Sequence, residues 1–365
     1  MDAVDDPHQV GAAEGARWLA AADSLAANLS TLGAPAVPHW YRVGDACLAL
    51  HASDPSFLER FSVLFGACRV DVPEEGHPTV EGRVVRPSRG GGPALVTAGG
   101  PALPDPAGFV EALFGDDGLS RKKVSNGWTG FAFRGDERSR LAVRGNDFLV
   151  SADGPWRYIA GAVLVHRAMG AQPDVMFVHA AAVRIRGAGV LFVGSRGTGK
   201  TTIAVGLAAR GHALLSDEVG AIRFDGPAIV SFPRAAGVRP GPRGSAAAAV
   251  LDRPGHPVER FADGSTKTLV PLEDVGPTVP LGDPVPLEHI VVLDGRAEHP
   301  RFTALDPTPR NARYLAPVKS MPFSPGSASK TMRLITLASK VHWHRLRAGT
   351  PDETLTAIEQ RFGNA

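Results

Sequence analysis

The run Val190-Leu191-Phe192-Val193-Gly194-Ser195-Arg196-Gly197-Thr198-Gly199-Lys200-Thr201 decides how the rest of the chain is read. Four uncharged apolar residues predict a short buried strand. Residues Gly194–Thr201 then follow the spacing G-x-x-x-x-G-K-[ST]. Ile203, Leu207 and Ala208 recur at helical spacing, and Gly211 supplies a C-cap. Strand, glycine loop and helix in that order suit a polyphosphate. The glycines let backbone N–H groups curl around it, and the helix N-terminus adds partial positive charge. The expectation is ATP bound by Gly194, Ser195, Arg196, Gly197, Thr198, Gly199, Lys200, Thr201 and Thr202, with Lys200 on the β- and γ-phosphates and the Thr201 hydroxyl on Mg²⁺.

Downstream stands Ala213-Leu214-Leu215-Ser216-Asp217-Glu218. The helix from Lys200 to Arg210 leads roughly 16 Å away from the loop at ~1.5 Å per residue. A return strand of four or five residues covers about the same distance at ~3.3 Å per residue. Asp217 and Glu218 are therefore expected beside the phosphates, at the carboxyl edge of the sheet. Two carboxylates there can divide two tasks, one holding Mg²⁺ and one accepting the proton of an attacking hydroxyl. Ile290–Leu293 is a second buried-strand pattern, and it leads into Asp294. Spacing alone leaves the Mg²⁺ role open between Glu218 and Asp294.

Upstream, Val175–Val178 and Ala180–Arg186 read as strands, with a turn at Gly187-Ala188-Gly189 into the glycine-loop strand. A hairpin here brings His179 to the phosphates. Farther out, Trp156–Met169 and residues 11–29 read as helices, and Phe57–Phe65 as a short one. Tyr41–Val43, Ala46–Leu50, Gly82–Arg86, Phe131–Arg134 and Leu141–Val150 read as strands, the last with a Gly145-Asn146-Asp147 turn. Arg86–Pro104, with Gly90-Gly91-Gly92, reads as a loop, and Asp352–Phe362 as a packing helix. The character changes near Gly170, which predicts an α+β N-terminal domain over 1–170 and an α/β domain over 171–365.

Composition narrows the classes. The 365 residues suffice for two domains, and 44% are apolar. With 39 basic and 37 acidic residues, net +2, no electrostatic case exists for nucleic acid or an anionic membrane. Cys47 and Cys68 are the only cysteines; they show no metal-ligand spacing and fit a reducing compartment. The acidic start Met1-Asp2-Ala3-Val4-Asp5-Asp6 lacks the basic region of a signal peptide, and no apolar run reaches the ~20 residues of a membrane helix. The expectation is a cytoplasmic protein, with homo-oligomerisation left open.

The run His179–Thr201, followed by Arg210-Gly211-His212-Ala213-Leu214-Leu215-Ser216-Asp217-Glu218-Val219, resembles the HPr kinase/phosphorylase family, and more closely the HPr-kinase-like proteins of bacterial biosynthetic gene clusters. The match is good over Val175–Ile222 and loose over the remaining C-terminal half. The resemblance implies a P-loop kinase fold related to phosphoenolpyruvate carboxykinase. It implies Asp217 as catalytic base, Glu218 for the metal and His179 in the catalytic site, and so tips the Mg²⁺ choice to Glu218. The family's second signature, Glu-Ile-Arg-Gly-Leu-Gly, corresponds here to Phe232-Pro233-Arg234-Ala235-Ala236-Gly237-Val238-Arg239 and lacks its glutamate. That departure predicts a one-way kinase whose acceptor is not HPr.

Arg234, Arg239, Arg243 and Lys267 are the basic residues available to a transferring phosphate or an acidic acceptor. The leading expectation is transfer of the γ-phosphoryl of ATP to a hydroxyl, most simply a Ser of a peptide or protein. A small-molecule alcohol kinase and a P-loop ATPase without acceptor are the alternatives; the guanine-specifying Asn/Thr-Lys-x-Asp motif is absent.

Overall fold

Burial along the strands sorts them into two kinds. Thr79–Val85 largely alternates exposed and buried residues, as a strand with one wet face does. Val175–Val178 and Ala213–Ser216 are buried at every position, as strands covered on both faces are. The structure, a computed structural model, describes residues 37–73, 75–86, 93–115, 118–123, 127–133, 136–151, 156–239, 248–249, 252–260 and 266–363. The helix expected over residues 11–29, Gly90–Gly92 and Arg243 lie outside the described residues. The protein is mixed α/β, with several sheets.

Two compact units divide the chain. The first is built from Leu48–Arg60 and Thr79–Arg167. The second takes Trp40–Cys47, Phe61–Pro78 and Ala168–Ala365. The N-terminal elements are β1 (His39–Val43), β2 (Ala46–Ala52), α1 (Pro55–Phe65), β3 (Arg69–Val70), β4 (Thr79–Val85), β5 (Ala94–Ala98), α2 (Pro106–Phe114), β6 (Leu119–Lys123), β7 (Thr129–Phe133), β8 (Asp136–Arg144), β9 (Asp147–Val150) and α3 (Trp156–Gly170). In the first unit the strands lie in the order β4-β5-β9-β8-β7-β6, antiparallel throughout. One expectation is overturned here. The stretch read as a loop over Arg86–Pro104 contains β5, a central strand buried at four of its five positions. The Gly- and Pro-rich flanks hide a run, Ala94–Ala98, that is too short and too small-chained to show a period. Helix α2 was likewise hidden. It begins on a Pro-capped turn in which Asp105 accepts from the Gly108 N–H at 2.9 Å.

The second unit continues with β10 (Val175–Val178), β11 (Ala180–Ile185), β12 (Ala188–Val193), α4 (Lys200–Ala209), β13 (Ala213–Ser216), β14 (Gly220–Arg223), β15 (Ala228–Val230), β16 (Ala236–Val238), β17 (Val258–Arg260), β18 (Thr266–Val270), α5 (Leu272–Val275), β19 (Val285–Arg296), β20 (Arg301–Leu305), α6 (Pro309–Ala312), α7 (Ser327–Ala338), β21 (His342–Ala348) and α8 (Pro351–Phe362). The turn between β11 and β12 is Arg186-Gly187, with φ of 50° and 99°. A two-residue hairpin of this kind needs positive φ at both central positions.

The main sheet runs β10-β14-β15-β19-β12-β11-β13, with β21 beside β19 and β20 beside β21. β11 is antiparallel to both β12 and β13, and β19 is parallel to β12. Strands β12, β13 and β19 therefore all deliver their carboxyl ends to one edge. Helix α4 packs its Ile203, Ala204, Leu207 and Ala208 into the core with Phe192, Leu346, Leu355 and Ile358. A separate three-stranded sheet, β16-β18-β17, lies between β15 and β19 in sequence. Among the described residues, no helix is long and apolar enough to cross a membrane.

Candidate active site

β12 ends at Val193, and the backbone must turn at once. Gly194, Gly197 and Gly199 have φ of 154°, 85° and 100°, a region that side-chain-bearing residues avoid. Gly194 also needs its missing Cβ. One added there would lie 2.8 Å from Thr198 Oγ1 and 2.9 Å from the Leu293 carbonyl. Gly199 caps α4, whose first residue is Lys200. The Lys200 side chain folds back over the loop, and its Nζ donates to the carbonyls of Gly194 (2.8 Å) and Ser195 (3.1 Å). It is buried, and burial lowers its pKa while the charges of Asp217 and Glu218 work against that shift. Ser195, Arg196 and Gly197 stand exposed at the tip of the loop, and Thr202 sits half-buried in the first turn of α4.

β13 brings Ser216, Asp217 and Glu218 to the same edge. The Thr201 hydroxyl donates to both Asp217 carboxylate oxygens, at 3.0 and 3.2 Å. Asp217 is 1% exposed. Burial, then the neighbouring Glu218 charge, raise its pKa above the ordinary carboxylate range, and the Thr201 hydrogen bond opposes them. Glu218 has φ of 64°, a strained value for a residue with a side chain. Lys267 Nζ of β18 donates to its carboxylate at 2.8 Å, and Arg234 pairs with it at 3.4 Å. Burial would raise Glu218, but the Arg234 and Lys267 charges overcome it and hold the acid below its ordinary value.

His179 lies between β10 and β11, where its imidazole Nδ1 is 3.0 Å from the Glu218 carbonyl. Its side chain reaches solvent, yet the protein packed around it and the Lys200 charge push its pKa down, so the ring is neutral near pH 7. The structure thus brings His179, Lys200, Thr201, Asp217, Glu218, Arg234 and Lys267 to one place. Two further expected residues are exposed. Asp294 is 54% exposed and pairs with Arg345 at 3.2 Å. Arg239 is exposed at the end of β16.

Two groups that residue reading passed over are the Ser216 hydroxyl, buried without a hydrogen-bond partner beside Asp217, and the Leu293 carbonyl against the loop. The adjacency of Ser216 to the carboxylate pair was its one available signal. The oxygen donors Thr201, Asp217 and Glu218 suit a hard divalent cation. Among the described residues no three His, Cys, Asp or Glu side chains could hold a metal by themselves. A Mg²⁺ here therefore needs further oxygens of the kind a nucleotide phosphate provides.

No family model matches the chain, and no curated protein matches it in sequence. Among solved structures it is similar to the Hpr(Ser) kinase/phosphatase from Coxiella burnetii, at 13% identity and a TM-score of 0.26. The match covers 52% of this chain and 99% of that one. This is a distant structural relationship.

Proposed function

We propose that the chain is an ATP-dependent kinase of the cytoplasm that transfers the γ-phosphoryl group to a hydroxyl, with a Ser of a peptide or protein as the first choice of acceptor. The observation that carries the reading is the meeting of the glycine loop, through Thr201, with the buried Asp217, beside a Glu218–Lys267–Arg234 cluster. Lys200 exchanges the loop carbonyls for the β- and γ-phosphates. Bound Mg²⁺ would supply neutralisation of phosphate charge, held by Thr201 and a carboxylate of the pair. Asp217, whose pKa is raised toward the working pH, takes the acceptor's hydroxyl proton as the acceptor oxygen bonds to the γ-phosphorus and the bond to ADP breaks. Arg234 and Lys267 offer cationic charge to the transferring group. Their attachment to Glu218 keeps that residue ionised.

A second division of labour is favoured by the Thr201–Asp217 bond, which puts Asp217 on the metal side and leaves the proton to Glu218. Titrating Mg²⁺ against activity in Asp217→Asn and Glu218→Gln separates the two. Under the first, Glu218→Gln raises the Mg²⁺ requirement, and Asp217→Asn loses transfer while retaining Mg·ATP binding. The second predicts the reverse. The function itself is tested with γ-labelled ATP and the peptides and proteins encoded beside this gene, together with HPr. Label on one of the former supports the reading. Label on a small alcohol, or free phosphate alone, replaces it. Efficient Ser phosphorylation of HPr, or pyrophosphate release from phosphoserine with inorganic phosphate, overturns the one-way, non-HPr expectation.

A further inference from the structure

Among the described residues, strand β20, Arg301-Phe302-Thr303-Ala304-Leu305, pairs with β21 alone and so forms an edge of the main sheet. Its outer side offers a row of backbone N–H and C=O groups to one more strand. Alternation sorts its side chains. Phe302 packs against the core near Leu346, so Arg301 and Thr303 project from the other face, where both are exposed. The register sets Arg301 directly opposite Arg347, and Thr303 opposite Arg345. Two like charges thus face each other across an antiparallel pair, with Cβ atoms about 5 Å apart, an arrangement that costs stability. No acid relieves it. Among the described residues Arg301 has no ion pair, and Arg347 donates only to the Arg296 carbonyl, at 2.9 Å. The neighbouring carboxylate, Asp294, is already paired with Arg345 at 3.2 Å.

The arginine pair stands level with the glycine loop. Val193, the last residue of β12, is in register with Val292, and Val292 with Arg345. Arg347 lies two residues farther toward the carboxyl edge, and β20 runs the other way, so its first residue, Arg301, is at that edge as well. The strands β12, β19, β21 and β20 are successive neighbours, which puts β20 roughly 14 Å from the loop strand at ~4.8 Å per step. An extended chain covers that distance in about four residues. Charge selects the occupant. A second copy of β20 would bring further arginines to the edge and add repulsion. Alternate acids on an added strand instead come to lie beside Arg301 and Arg347.

We infer that the outer edge of β20 takes up an extended acidic segment of the acceptor peptide as an added strand, its carboxylates on Arg301 and Arg347, a few residues from the hydroxyl that is phosphorylated. The word acceptor rests on the kinase reading, but the docking edge stands apart from it. Binding is measured first, by calorimetry and amide hydrogen exchange on the full chain. The probes are a hexapeptide alternating Glu with Val, its counterpart with Lys for Glu, and a Glu version with Pro in place of each Val. The wild type is expected to prefer Glu to Lys by at least ~tenfold, as complementary charge does. The Pro version keeps the charge and loses N–H donors, and is expected to bind at least ~tenfold more weakly. Exchange at Arg301–Leu305 should slow when the Glu probe binds. Arg301→Glu combined with Arg347→Glu is expected to reverse the charge preference. Arg301→Glu alone makes the like pair an opposite one, and should melt at or above wild type. Equal binding of the Glu and Lys probes, or a preference that the double variant leaves intact, overturns the site. Equal binding of the Pro version overturns strand addition. Competitive displacement of the Glu probe by ATP assigns the arginines to nucleotide and overturns the proposal. Self-association of the chain that slows the same exchange assigns the edge to a second copy and overturns it too.

Transfer is measured second, with Ser-containing peptides that carry the Glu–Val segment at set distances on either side. The segment is expected to lower KM by about tenfold at a preferred spacing, through the local concentration it confers. The double variant should lose that advantage while its kcat on segment-free peptides stays at the wild-type value. No advantage at any spacing overturns the acceptor role. Glu-selective binding with no transfer to any peptide leaves the docking edge and overturns the kinase reading.

Discussion

At the scale of single residues, the site stores two kinds of misfit. Lys200 spends its hydrogen bonds on Gly194 and Ser195 carbonyls, contacts that a phosphate would replace under the proposed function. Lys200→Ala is expected to lower nucleotide turnover by at least ~100-fold, the order lost with a preorganised charge partner. Its thermal melt should stay near wild type, because the loop's shape is held by glycine dihedrals and the Thr198–Ser195 bond. Unchanged turnover in a folded variant would remove the loop from the mechanism. Asp217 is the second misfit, an acid whose pKa the fold raises. Its contribution to stability is greatest below the unfolded value of 3.8 and falls as pH rises through the higher folded value. Asp217→Asn should therefore raise the melting temperature of the nucleotide-free protein at pH 8 and leave it nearly unchanged at pH 4. Glu218 has the opposite sign. Its stabilisation is present above 4.5 and is lost as pH falls through its depressed folded value, so Glu218→Gln should destabilise at neutral pH. If Asp217 is the base, kcat/KM for Mg·ATP should show an acid limb above the ordinary carboxylate range.

At the scale of elements, helix α8 accounts for the Arg210-Gly211-His212 run that precedes β13. Arg210 pairs with Glu359 at 2.8 Å and Asp352 at 3.3 Å, and His212 with Glu359 at 3.1 Å, so the Arg-Gly-His turn anchors α8. The helix itself was legible. Thr350, Pro351 and Glu353 form a capping box with Pro at the first turn, and Leu355, Ile358 and Phe362 are buried. What the spacing did not show is how closely α8 meets α4. A Cβ on Gly206 would lie 2.6 Å from Leu355 Cδ1. Leu355→Ala is expected to cost about 2–5 kcal/mol in denaturant unfolding. Gly206→Ala should cost about 1–3 kcal/mol alone by overpacking. In the Leu355→Ala background the added methyl enters the vacated space, so the double variant should be no less stable than Leu355→Ala. Additive losses would show that the two helices do not share this contact.

For the whole molecule, the unit that holds the candidate site is not a continuous stretch of chain. Ala168–Ala365 completes itself with Trp40–Cys47 and Phe61–Pro78. Gln172 Nε2 donates to the Val43 carbonyl at 2.8 Å, Arg223 grips Asp45 with two hydrogen bonds of 2.8 and 2.7 Å, and Phe65 stacks near Phe232. A fragment of residues 168–365 would leave Gln172 and Arg223 without those partners and uncover Phe232. It is expected to be aggregated or to melt well below a chain of residues 37–363, which a thermal scan with light scattering compares directly. Equal melting of the two would show that the early segments are dispensable.

The loop, the helix after it, the hairpin before it and the return strand were all readable from residues. Each is decided within a few positions, by glycine conformation, helical spacing or strand length. The same reasoning, counting residues out and back, returned Asp217 and Glu218 to the loop's edge of the sheet, where Asp217 meets Thr201. The partners of Glu218 could not be read that way. Lys267 stands 49 residues away on a strand whose register with β16 and β17 is set by packing, and Arg234 reaches Glu218 only because Ser216 and Phe232 bridge in parallel. The ion pair between Asp294 and Arg345 on the adjacent β21 was equally hidden from spacing. Sequence by itself determined where the glycine loop forms and which acids return to it, because local geometry is a property of neighbouring residues. Only the tertiary structure decided which charges pair with which acid, because strand register and sheet order depend on burial summed over the whole chain.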